Sequence, residues 1–310
     1  MKKTPKAMIL GTGRATPERV LTNADLEKIV DTTDEWIRDR TGIERRFIAA
    51  DHETNSQFAA RAAQQALAAA NISPEQVDVI IQGTVTGDAG FPANACYVQN
   101  AIGATNAAAF DISAACSGFI YGLTLADSFI SSGKARYVLV IGCELLSRIT
   151  DWKDRATCVL FGDGAGAFVL GPSDDERGLI DTFIKSDGRL TELLCMKGKG
   201  TKIPLDVALA ERKVFIAMQG REVFKHAVTA MGEASLHILE KNGMTSDDID
   251  LFIPHQANLR IITATAKRLN VAMDKVYVNV QDYGNTSAAS IPIAIDEALE
   301  KKRLQPGQRC

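Results

Sequence analysis

Short runs of apolar residues alternate along the chain with longer segments in which apolar positions recur at helical spacing. A continuous apolar run is typical of a strand buried on both faces, whereas recurrence every three or four residues is typical of an amphipathic helix. The pattern predicts strands at residues 7–10, 77–82, 107–112, 137–141, 167–170, 249–254 and 276–280, and helices at 23–30, 55–70, 117–131, 220–241, 260–269 and 287–302. This alternation predicts an α/β fold with largely parallel sheets.

Two stretches of the chain resemble each other. Residues 71–81 align with 243–253, and each stretch leaves a helix, makes a polar turn and enters a strand through an apolar–Asp–apolar step. A strand, a small-residue turn and an apolar helix then follow in both halves. A period of about 170 residues is too long for a solenoid, so we expect duplication of one α/β unit. Pro, Ser and acidic residues cluster at 171–178, which predicts an N-terminal half of 1–174 and a C-terminal half of 175–310.

Length and composition exclude several classes of protein. The 310 residues are 46% hydrophobic and 24% charged, which allows a large buried core. A net charge of −3 argues against a nucleic-acid partner, and no apolar stretch approaches the roughly 18–20 residues of a membrane span. The six cysteines have neither CxxC pairing nor metal-ligand spacing. They fit a cytosolic protein with reduced thiols better than a disulfide scaffold.

The first candidate for chemistry is Cys116, in the sequence DISAACSG. A predicted strand ends before it, small residues form a turn, and the helix predicted at 117–131 begins beside it. Unpaired N–H groups and the positive end of a helix dipole stabilise a thiolate at such a position. A free cysteine is more often a small buried hydrophobic residue. We keep that interpretation for the cysteines that lack this setting: Cys96, Cys143, Cys158 and Cys195.

Two further candidates lie in the second half. His255, in the sequence PHQAN, follows a predicted strand and precedes a helix, where α/β folds place ligand-binding groups. Asn285, in YGNTSAAS, lies in the turn that corresponds to the Cys116 turn of the first half. Taken alone, a histidine is more often structural, and Gly-Asn is a common turn. If the halves pack about a pseudo-twofold axis, the turns of Cys116 and Asn285 face each other across one cleft.

Together these motifs resemble the thiolase superfamily, and within it most closely the β-ketoacyl-acyl-carrier-protein synthase III family. The resemblance runs nearly end to end, through TNADLE at Thr22, DEWIRDRTGI at Asp34, DISAACSGF, FGDGAGA at Phe161, HQAN and YGNTSAAS. It implies a thiolase-like fold in which duplicated α/β halves form α-β-α-β-α layers. The Gly-rich segment at Phe161 leads into a predicted strand rather than a helix, so it is not a dinucleotide-binding fingerprint.

The resemblance implies an acyltransferase that initiates type II fatty-acid synthesis. A short acyl group, expected to be acetyl, would pass from CoA to Cys116 and then condense with malonyl-acyl carrier protein as CO2 leaves. Cys116 would be the nucleophile, and a neutral His255 and the Asn285 amide would donate hydrogen bonds to the enolate oxygen. The CoA thioester is a substrate in this scheme, and the resemblance implies no cofactor and no metal.

Binding residues follow from the same resemblance. The CoA-binding residues implied are Trp36 and Arg155 on the two faces of the adenine, Arg40 and Thr41 at the nucleotide, and Phe224 and Asn258 along the pantetheine tunnel. Phe91 resembles the residue that reaches across a homodimer to close the partner's acyl pocket. Docking of the acidic carrier protein is expected at Lys225, Arg260, Lys267 and Arg268, which could equally be solvated helix faces.

Alternatives remain open at this stage. A degradative thiolase would carry a second cysteine in place of Asn285, an elongating synthase would carry a second histidine, and neither is present. A secondary-metabolite ketosynthase of the same subgroup would use a different acyl donor. A non-catalytic dimerising homologue would bind the carrier protein without condensing anything.

The end of the second half differs from that of the first. After its apolar helix the first half continues with strands near 137–141 and 167–170, whereas the second reaches the corresponding point at 304–310. We therefore expect the second sheet to lack two strands. The resemblance implies that a Gly-rich turn between such strands supplies an oxyanion donor, so the chain as written is expected to be a weak or unstable catalyst.

Overall fold

The computed structural model describes residues 6–173, 175 and 177–310. The strands are β1 (Ala7–Ala15), β2 (Val20–Thr22), β3 (Arg45–Phe47), β4 (Val79–Gly83), β5 (Ala108–Ile112), β6 (Val138–Leu145), β7 (Asp163–Pro172), β8 (Leu194–Cys195) and β9 (Ala217–Met218). The helices are α1 (Asn23–Leu26), α2 (Asp34–Thr41), α3 (Asn55–Ala70), α4 (Asn94–Ile102), α5 (Gly118–Ser131), α6 (Arg155–Cys158), α7 (Leu205–Ala210), α8 (Gly220–Lys241), α9 (Leu259–Arg268), α10 (Val280–Tyr283) and α11 (Ser290–Glu300). Residues 174 and 176, inside the predicted join, lie outside the described residues, so the division into halves stays a prediction.

Five strands form one mixed sheet in the order β1-β7-β6-β4-β5. β4 pairs in parallel with β5 and β6, whereas β7 is antiparallel to β6 and to β1. The prediction of largely parallel sheets is therefore wrong for this sheet. The connection from β6 to β7 contains only a single 3₁₀ turn and the short α6, which cannot cross back over the sheet, so the chain reverses direction.

Helices cover both faces of this sheet. Every residue of β6 is buried, as its continuous apolar run predicts. On one face, the alanine-rich side of α3 packs against β1, β6 and β7, and on the other α5 and α11 pack against β6 and β7. α3 begins at a capping box of Thr54 and Gln57 and ends at Asn71 in the left-handed conformation. The predicted bounds of α3 and α8 are confirmed.

The second half contains less regular strand than the pattern predicts. Segments 249–254 and 276–280 run side by side in parallel, but the described residues show one isolated bridge between them, from Phe252 to Val276. The prediction of two regular strands here is wrong. The chain turns into α10 at Val280, and a two-stranded parallel pairing is marginal without further strands beside it.

The two stretches that resemble each other in sequence, 71–81 and 243–253, also follow similar backbone paths. Asn71 and Gly243 both take left-handed angles, with φ of 53° and 65°, where α3 and α8 end. Each is followed by a capped 3₁₀ turn, Pro74–Gln76 in the first half and Ser246–Asp248 in the second. The apolar–Asp–apolar step comes next in both.

Among the described residues, no helix is both long and apolar enough to span a bilayer.

Candidate active site

Two strand-to-helix turns carry the predicted reactive groups. In the first half a 3₁₀ turn, Ala115–Ser117, holds Cys116 immediately before α5. In the second half the turn Ser287–Ala289 follows Asn285 and precedes α11. Each 3₁₀ turn begins with a left-handed residue that is not glycine, with φ of 45° at Ala115 and 50° at Ser287. Such backbone costs about 1–3 kcal/mol and is found chiefly at functional sites.

Ser287 connects the two turns. The turn that it begins packs against the Ala115–Ser117 turn of Cys116, and its backbone N–H donates to Asn285 Oδ1 at 2.9 Å. Because that oxygen is engaged, the NH2 group of Asn285 is the part of the side chain free to donate. The Asn285 backbone is fixed on both sides, by its own N–H on Leu160 and by the Gly162 N–H on its carbonyl.

The electrostatic environment of Cys116 differs from the prediction. Burial raises the pKa of the Cys116 thiol, the hydrogen bond from Ser287 lowers it, and the charge of Glu144 raises it further. Burial and the Glu144 charge therefore oppose the stabilisation of a thiolate that the start of a helix is expected to supply. Cys116 lies in the 3₁₀ turn ahead of α5, so it is offset from the helix end.

His255 is held by a hydrogen-bond network at the end of segment 249–254. The side chain of Gln256 bonds the carbonyls of Pro254 and Tyr277 and accepts from the Asn279 N–H, which fixes the backbone at this point. His255 Nδ1 lies 2.5 Å from Ser290 Oγ.

Ser290 contacts the Nδ1 edge of the His255 ring. Ser290 Oγ also accepts from the Gln256 N–H at 3.3 Å, and whether Oγ or Nδ1 donates in the bond between them depends on the tautomer of the ring. Donation from Ser290 to Nδ1 leaves the ring proton on Nε2, which is the tautomer that the expected enolate donor requires. Burial lowers the pKa of His255 to about 4, so the ring is neutral near pH 7.

At the position of the first half that aligns with His255, two backbone segments touch directly. β4 ends at Gly83, and a Cβ atom added there would lie 2.8 Å from the carbonyl carbon of Gly118, the first residue of α5. Only glycine permits this approach of two backbones. Gly142 of β6 is similarly constrained, because a Cβ there would overlap the carbonyl oxygen of Ala288. These contacts seat the second-half turn against the first-half sheet.

Trp36 lies half-buried on α2 beside two arginines. The guanidinium of Arg155 is 4.9 Å from the centre of the Trp36 ring, and that of Arg40 is 5.8 Å away. Arg155 also donates to the carbonyl of Asp31 at 2.8 Å. The structure therefore brings together three of the residues predicted to bind the nucleotide, with the aromatic face and both cations on one surface.

Thr41 and Asn258 differ from the prediction. Thr41 is buried, and its hydroxyl donates to the Ile37 carbonyl and accepts from the Ile43 N–H. It holds the end of α2 and its hydroxyl is already engaged, so the nucleotide contact stays a prediction. Asn258 caps α9 through Oδ1, and its Nδ2 donates to the Arg40 carbonyl at 3.1 Å. Asn258 thus joins α9 to α2. Its predicted contact with the pantetheine arm of CoA would be a second role beside this structural one.

The four predicted docking residues lie on two neighbouring helices, α8 and α9. Lys225 and Arg260 lie at the N-terminal ends of α8 and α9, and the Arg260 guanidinium stacks 5.8 Å from the ring of Phe224. Lys267 and Arg268 lie at the opposite end of α9, about 10–12 Å along the helix from Arg260. This separation is within the span of one protein–protein interface, so a shared docking surface stays a prediction.

Phe91 stands out on the surface. It lies in the loop between β4 and α4 with 88% of its side chain exposed, the most exposed of the large apolar residues described. Among the described residues, no cluster of His, Cys, Asp or Glu side chains has metal-site geometry.

Sequence reasoning missed Glu144, Ser287, Ser290 and Gln256. Glu144 is fully buried at the end of β6, where its carboxylate accepts hydrogen bonds from the Val85 N–H and from three hydroxyls. A lone acidic residue inside the apolar run VLVIGCELL was the available signal. The two serines looked like ordinary turn residues, and nothing in the pattern alone shows which side chains their hydroxyls meet.

Comparison with known proteins places this geometry among condensing enzymes. The family model described as 3-oxoacyl-[acyl-carrier-protein (ACP)] synthase III matches residues 110–188, and its C-terminal counterpart matches residues 239–310. The β-ketoacyl-[acyl-carrier-protein] synthase III of Roseiflexus castenholzii is 53% identical over 302 residues, which cover 97% of this chain and 92% of that protein.

Solved structures agree with the sequence comparison. The 3-oxoacyl-[acyl-carrier-protein] synthase III of Aquifex aeolicus superposes with a TM-score of 0.91 at 52% identity, covering 97% of this chain and 93% of that one. The priming β-ketosynthase of the R1128 polyketide biosynthetic pathway superposes with a TM-score of 0.90 at 35% identity, covering 99% and 92%. The thiolase-like α/β fold expected from the sequence is confirmed.

Proposed function

The chain belongs to the 3-oxoacyl-[acyl-carrier-protein] synthase III family, and from this membership we propose how its residues divide the two half-reactions of the condensation. It is an acyltransferase that performs the initiating condensation of fatty-acid synthesis. We propose that acetyl-CoA supplies the acyl group and that malonyl-acyl carrier protein supplies the two carbons that are added. One observation carries the residue assignment: the turn of Cys116 packs against the turn that follows Asn285, whose Oδ1 accepts from the Ser287 N–H, so nucleophile and amide lie on neighbouring turns.

Acyl transfer is assigned to the first half. The Cys116 sulfur attacks the thioester carbonyl, CoA leaves as the thiol, and a new thioester forms on Cys116. Cys116 lies between a sheet edge and a buried helix, which holds its sulfur in one place. A fixed nucleophile lowers the entropic part of the barrier to attack.

Decarboxylation is assigned to the second half. Loss of CO2 from the malonyl group leaves an enolate, whose oxygen carries the developing negative charge. Two neutral donors suit this step, Nε2–H of His255 and the NH2 group of Asn285, because both are directed by other hydrogen bonds before the substrate arrives. The enolate carbon then attacks the acyl-Cys116 carbonyl, and the Cys116 sulfur leaves.

Nucleotide binding is assigned to the Trp36 surface. Arg155 and Arg40 already lie close to its ring, and CoA carries phosphates next to its adenine. We propose that the adenine inserts between Trp36 and Arg155, with Arg40 toward the phosphates. Phe224, half-buried beside Arg260, is assigned to the pantetheine arm.

A second copy of this chain is the proposed partner at β5. This strand is at the edge of the sheet, its residues are only partly covered, and the exposed Phe91 lies in the preceding loop. An apolar edge strand is normally covered or paired. Pairing of β5 with its symmetry mate would bring Phe91 to the partner's acyl site, where an aromatic side chain would restrict the pocket to short primers. The absence of disulfides among the six cysteines supports a cytoplasmic location.

Labelling tests the assignment of Cys116. After incubation with acetyl-CoA labelled in the acetyl group, the wild-type protein should carry one label per chain, and Cys116→Ala should carry none. Cys195→Ala, a matched change at a half-buried cysteine of β8, should label like wild type. Equal labelling of the two variants would contradict the nucleophile assignment.

A secondary-metabolite ketosynthase is the alternative, supported by the 35% identity to the R1128 priming enzyme. Relatives named β-ketoacyl-[acyl-carrier-protein] synthase III are 48–53% identical, which favours the fatty-acid role. The two functions differ in the primer. Competition between acetyl-CoA and longer acyl-CoA thioesters decides between them, with preference for acetyl expected.

A further inference from the structure

A buried carboxylate on α11 collects four hydrogen-bond donors. Glu297 is 6% exposed. Its Oε2 accepts from the Tyr277 hydroxyl at 3.0 Å and from Asn279 Nδ2 at 2.8 Å. Its Oε1 accepts from the Tyr283 hydroxyl at 3.3 Å and from Lys301 Nζ at 2.8 Å, one turn further along the helix. Four donors fill the acceptor positions of a single carboxylate, so its side chain and those of its partners are fixed.

The first pair of donors connects Glu297 to His255. Gln256 directly follows His255, and its side chain donates to the Tyr277 carbonyl at 3.1 Å and accepts from the Asn279 N–H at 3.0 Å. The side chains of these same two residues are the ones that Glu297 holds. Gln256, Tyr277 and Asn279 are all buried, so water does not compete for the bonds between them.

The third donor connects Glu297 to Asn285. Tyr283 ends α10 two residues before Asn285, and its ring packs against Phe47 with the ring centres 5.5 Å apart. Gly284, between the two, has a left-handed φ of 66° that starts the turn. The bond from the Tyr283 hydroxyl therefore fixes the chain at the point where it enters the turn that carries the amide.

The same helix also meets the His255 ring. Ser290 Oγ lies 2.5 Å from Nδ1 of His255, and Glu297 follows Ser290 by about two turns, on the same side of α11. One rigid helix thus contacts the imidazole directly and, through Glu297, the segments that hold the imidazole and the Asn285 amide.

The first half has no carboxylate at the corresponding place. In the alignment of the two halves, Glu297 falls opposite Leu125 of α5, which is 38% exposed, and Asn279 falls opposite Ala107. The first half, which carries neither enolate donor, therefore has an apolar side chain where the second half has the centre of this network.

We propose that Glu297 is a positioning residue for decarboxylation, which holds the His255 ring and the Asn285 amide at the separation that the enolate oxygen requires. It acts through its tyrosine and asparagine partners rather than by touching substrate. Donors stabilise developing charge best when they are in place beforehand, and a displacement of about 1 Å can cost about a hundredfold in rate. Acyl transfer uses neither donor in the proposed division of roles, so it should not depend on Glu297. This inference rests on the proposed function of His255 and Asn285.

Three variants change the network to different degrees. Glu297→Leu installs the side chain of the aligned first-half position and removes all four bonds. Glu297→Gln keeps an oxygen that can accept from Asn279, its NH2 group can donate to the Tyr283 hydroxyl, and the half-exposed Lys301 can turn to solvent. Tyr283→Phe removes one hydroxyl and keeps the packing against Phe47, so it probes the connection without emptying the site.

Asp296→Asn is the matched control, at the neighbouring carboxylate of the same helix. Asp296 accepts from Thr12 Oγ1 at 2.6 Å and pairs with Arg14, and both partners lie on β1. It therefore joins α11 to the sheet of the first half instead of to the segments that carry the enolate donors. Both half-reactions of this variant should run at the wild-type rate.

Rapid-quench measurement of Cys116 acetylation, and separately of CO2 release by acetylated enzyme, tests the proposal. Glu297→Leu should slow CO2 release about a hundredfold at unchanged KM for malonyl-acyl carrier protein, and Glu297→Gln should recover most of that rate. Tyr283→Phe should slow CO2 release several-fold, with no further loss when it is added to Glu297→Leu. Acetylation should stay within twofold of wild type in every variant.

Several results would overturn the positioning role. They are CO2 release within twofold of wild type in folded Glu297→Leu, equal losses in both half-reactions, and no recovery in Glu297→Gln. Should Glu297→Leu not fold, Tyr283→Phe decides: a loss confined to CO2 release supports the proposal, and an unchanged rate overturns it. Failure of the wild-type protein to be acetylated or to release CO2 would instead contradict the proposed function itself.

Discussion

The two strand-to-helix turns of this protein share one backbone path but make different contacts. In the first half β4 ends at Gly83, and its backbone packs directly on Gly118 at the start of α5. At the corresponding positions of the second half stand His255 and Ser290, which are joined by a side-chain hydrogen bond. In the first half the strand end and the helix start are in backbone contact. In the second half the imidazole ring of His255 lies between them.

This difference explains how two copies of one structural unit can catalyse two different steps, acyl transfer and decarboxylation. The nucleophile Cys116 stands where the second half has Ala288, and the donor Asn285 stands where the first half has Ser113. Each half therefore lacks the group that the other supplies. On this account the first half transfers the acyl group and the second stabilises the enolate, with Ser287 linking the two.

The largest expected loss of activity comes from removing the imidazole ring of His255, which has no counterpart in the first half. His255→Ala removes one enolate donor, so we expect CO2 release and condensation to fall by about 10²–10³, while acetylation of Cys116 stays near wild type. Rapid-quench measurement of both half-reactions checks this. His237→Ala, at a histidine stacked on Phe183 away from the site, is the matched control. Loss of acetylation in His255→Ala would show that the division between halves is wrong.

A smaller effect is expected from the serine that fixes the ring. Ser290→Ala removes the hydroxyl that places the proton on Nε2 of His255, so a fraction of the rings adopts the other tautomer. We expect condensation to fall roughly tenfold, which corresponds to about 1.4 kcal/mol, at unchanged KM for acyl-CoA. Ser128→Ala in α5, where the hydroxyl bonds only the Thr124 carbonyl, is the first-half control. Unchanged kcat in Ser290→Ala would contradict tautomer control.

The pH dependence should show that decarboxylation uses a neutral ring. His255 has a pKa of about 4 and donates as the neutral ring, so decarboxylation should stay flat down to about pH 5. Single-turnover rates of CO2 release between pH 5 and 8 measure this. A decline of CO2 release between pH 7 and pH 5 in the folded protein would contradict the assignment.

The smallest effect is expected at the docking surface of the second half. Lys225→Glu and Arg260→Glu lie beside Phe224 and should raise the KM for malonyl-acyl carrier protein several-fold, less at high salt, with little change for acyl-CoA. Lys267→Glu and Arg268→Glu, at the far end of α9, measure how far the docking surface extends along the helix. An equal rise in KM for acyl-CoA in the Lys225→Glu and Arg260→Glu variants would argue against a docking site for the carrier protein.

The sequence predicted the long helices of both halves better than the strands of the second half. α3, α5 and α8 follow strong apolar periodicity, and their bounds are those predicted to within a residue. Segments 249–254 and 276–280 have the composition of strands, yet they make one bridge. An apolar run shows that a segment is buried, but a regular ladder also depends on partners that lie far away in the chain.

The site shows the same limit. Cys116, His255 and Asn285 follow from their turns, because a strand-to-helix junction is a recognisable local pattern. The hydrogen bonds that hold the buried Glu144 come from Ser287, which lies more than a hundred residues away, and from hydroxyls of a third segment. The raised pKa of Cys116 likewise comes from burial by distant elements, which the local dipole argument could not include.

The central claim is that the first half transfers the acyl group and the second half promotes decarboxylation. CO2 release by a protein that lacks the Cys116 nucleophile tests this claim most directly. Cys116→Ala cannot be acylated, yet it keeps His255, Asn285 and the carrier-docking helices. We predict that it still decarboxylates malonyl-acyl carrier protein, giving acetyl-acyl carrier protein and no condensation product, and that adding His255→Ala reduces this release by about 10²–10³. Absence of CO2 release from a folded Cys116→Ala protein, or release that His255→Ala leaves unchanged, would contradict the account.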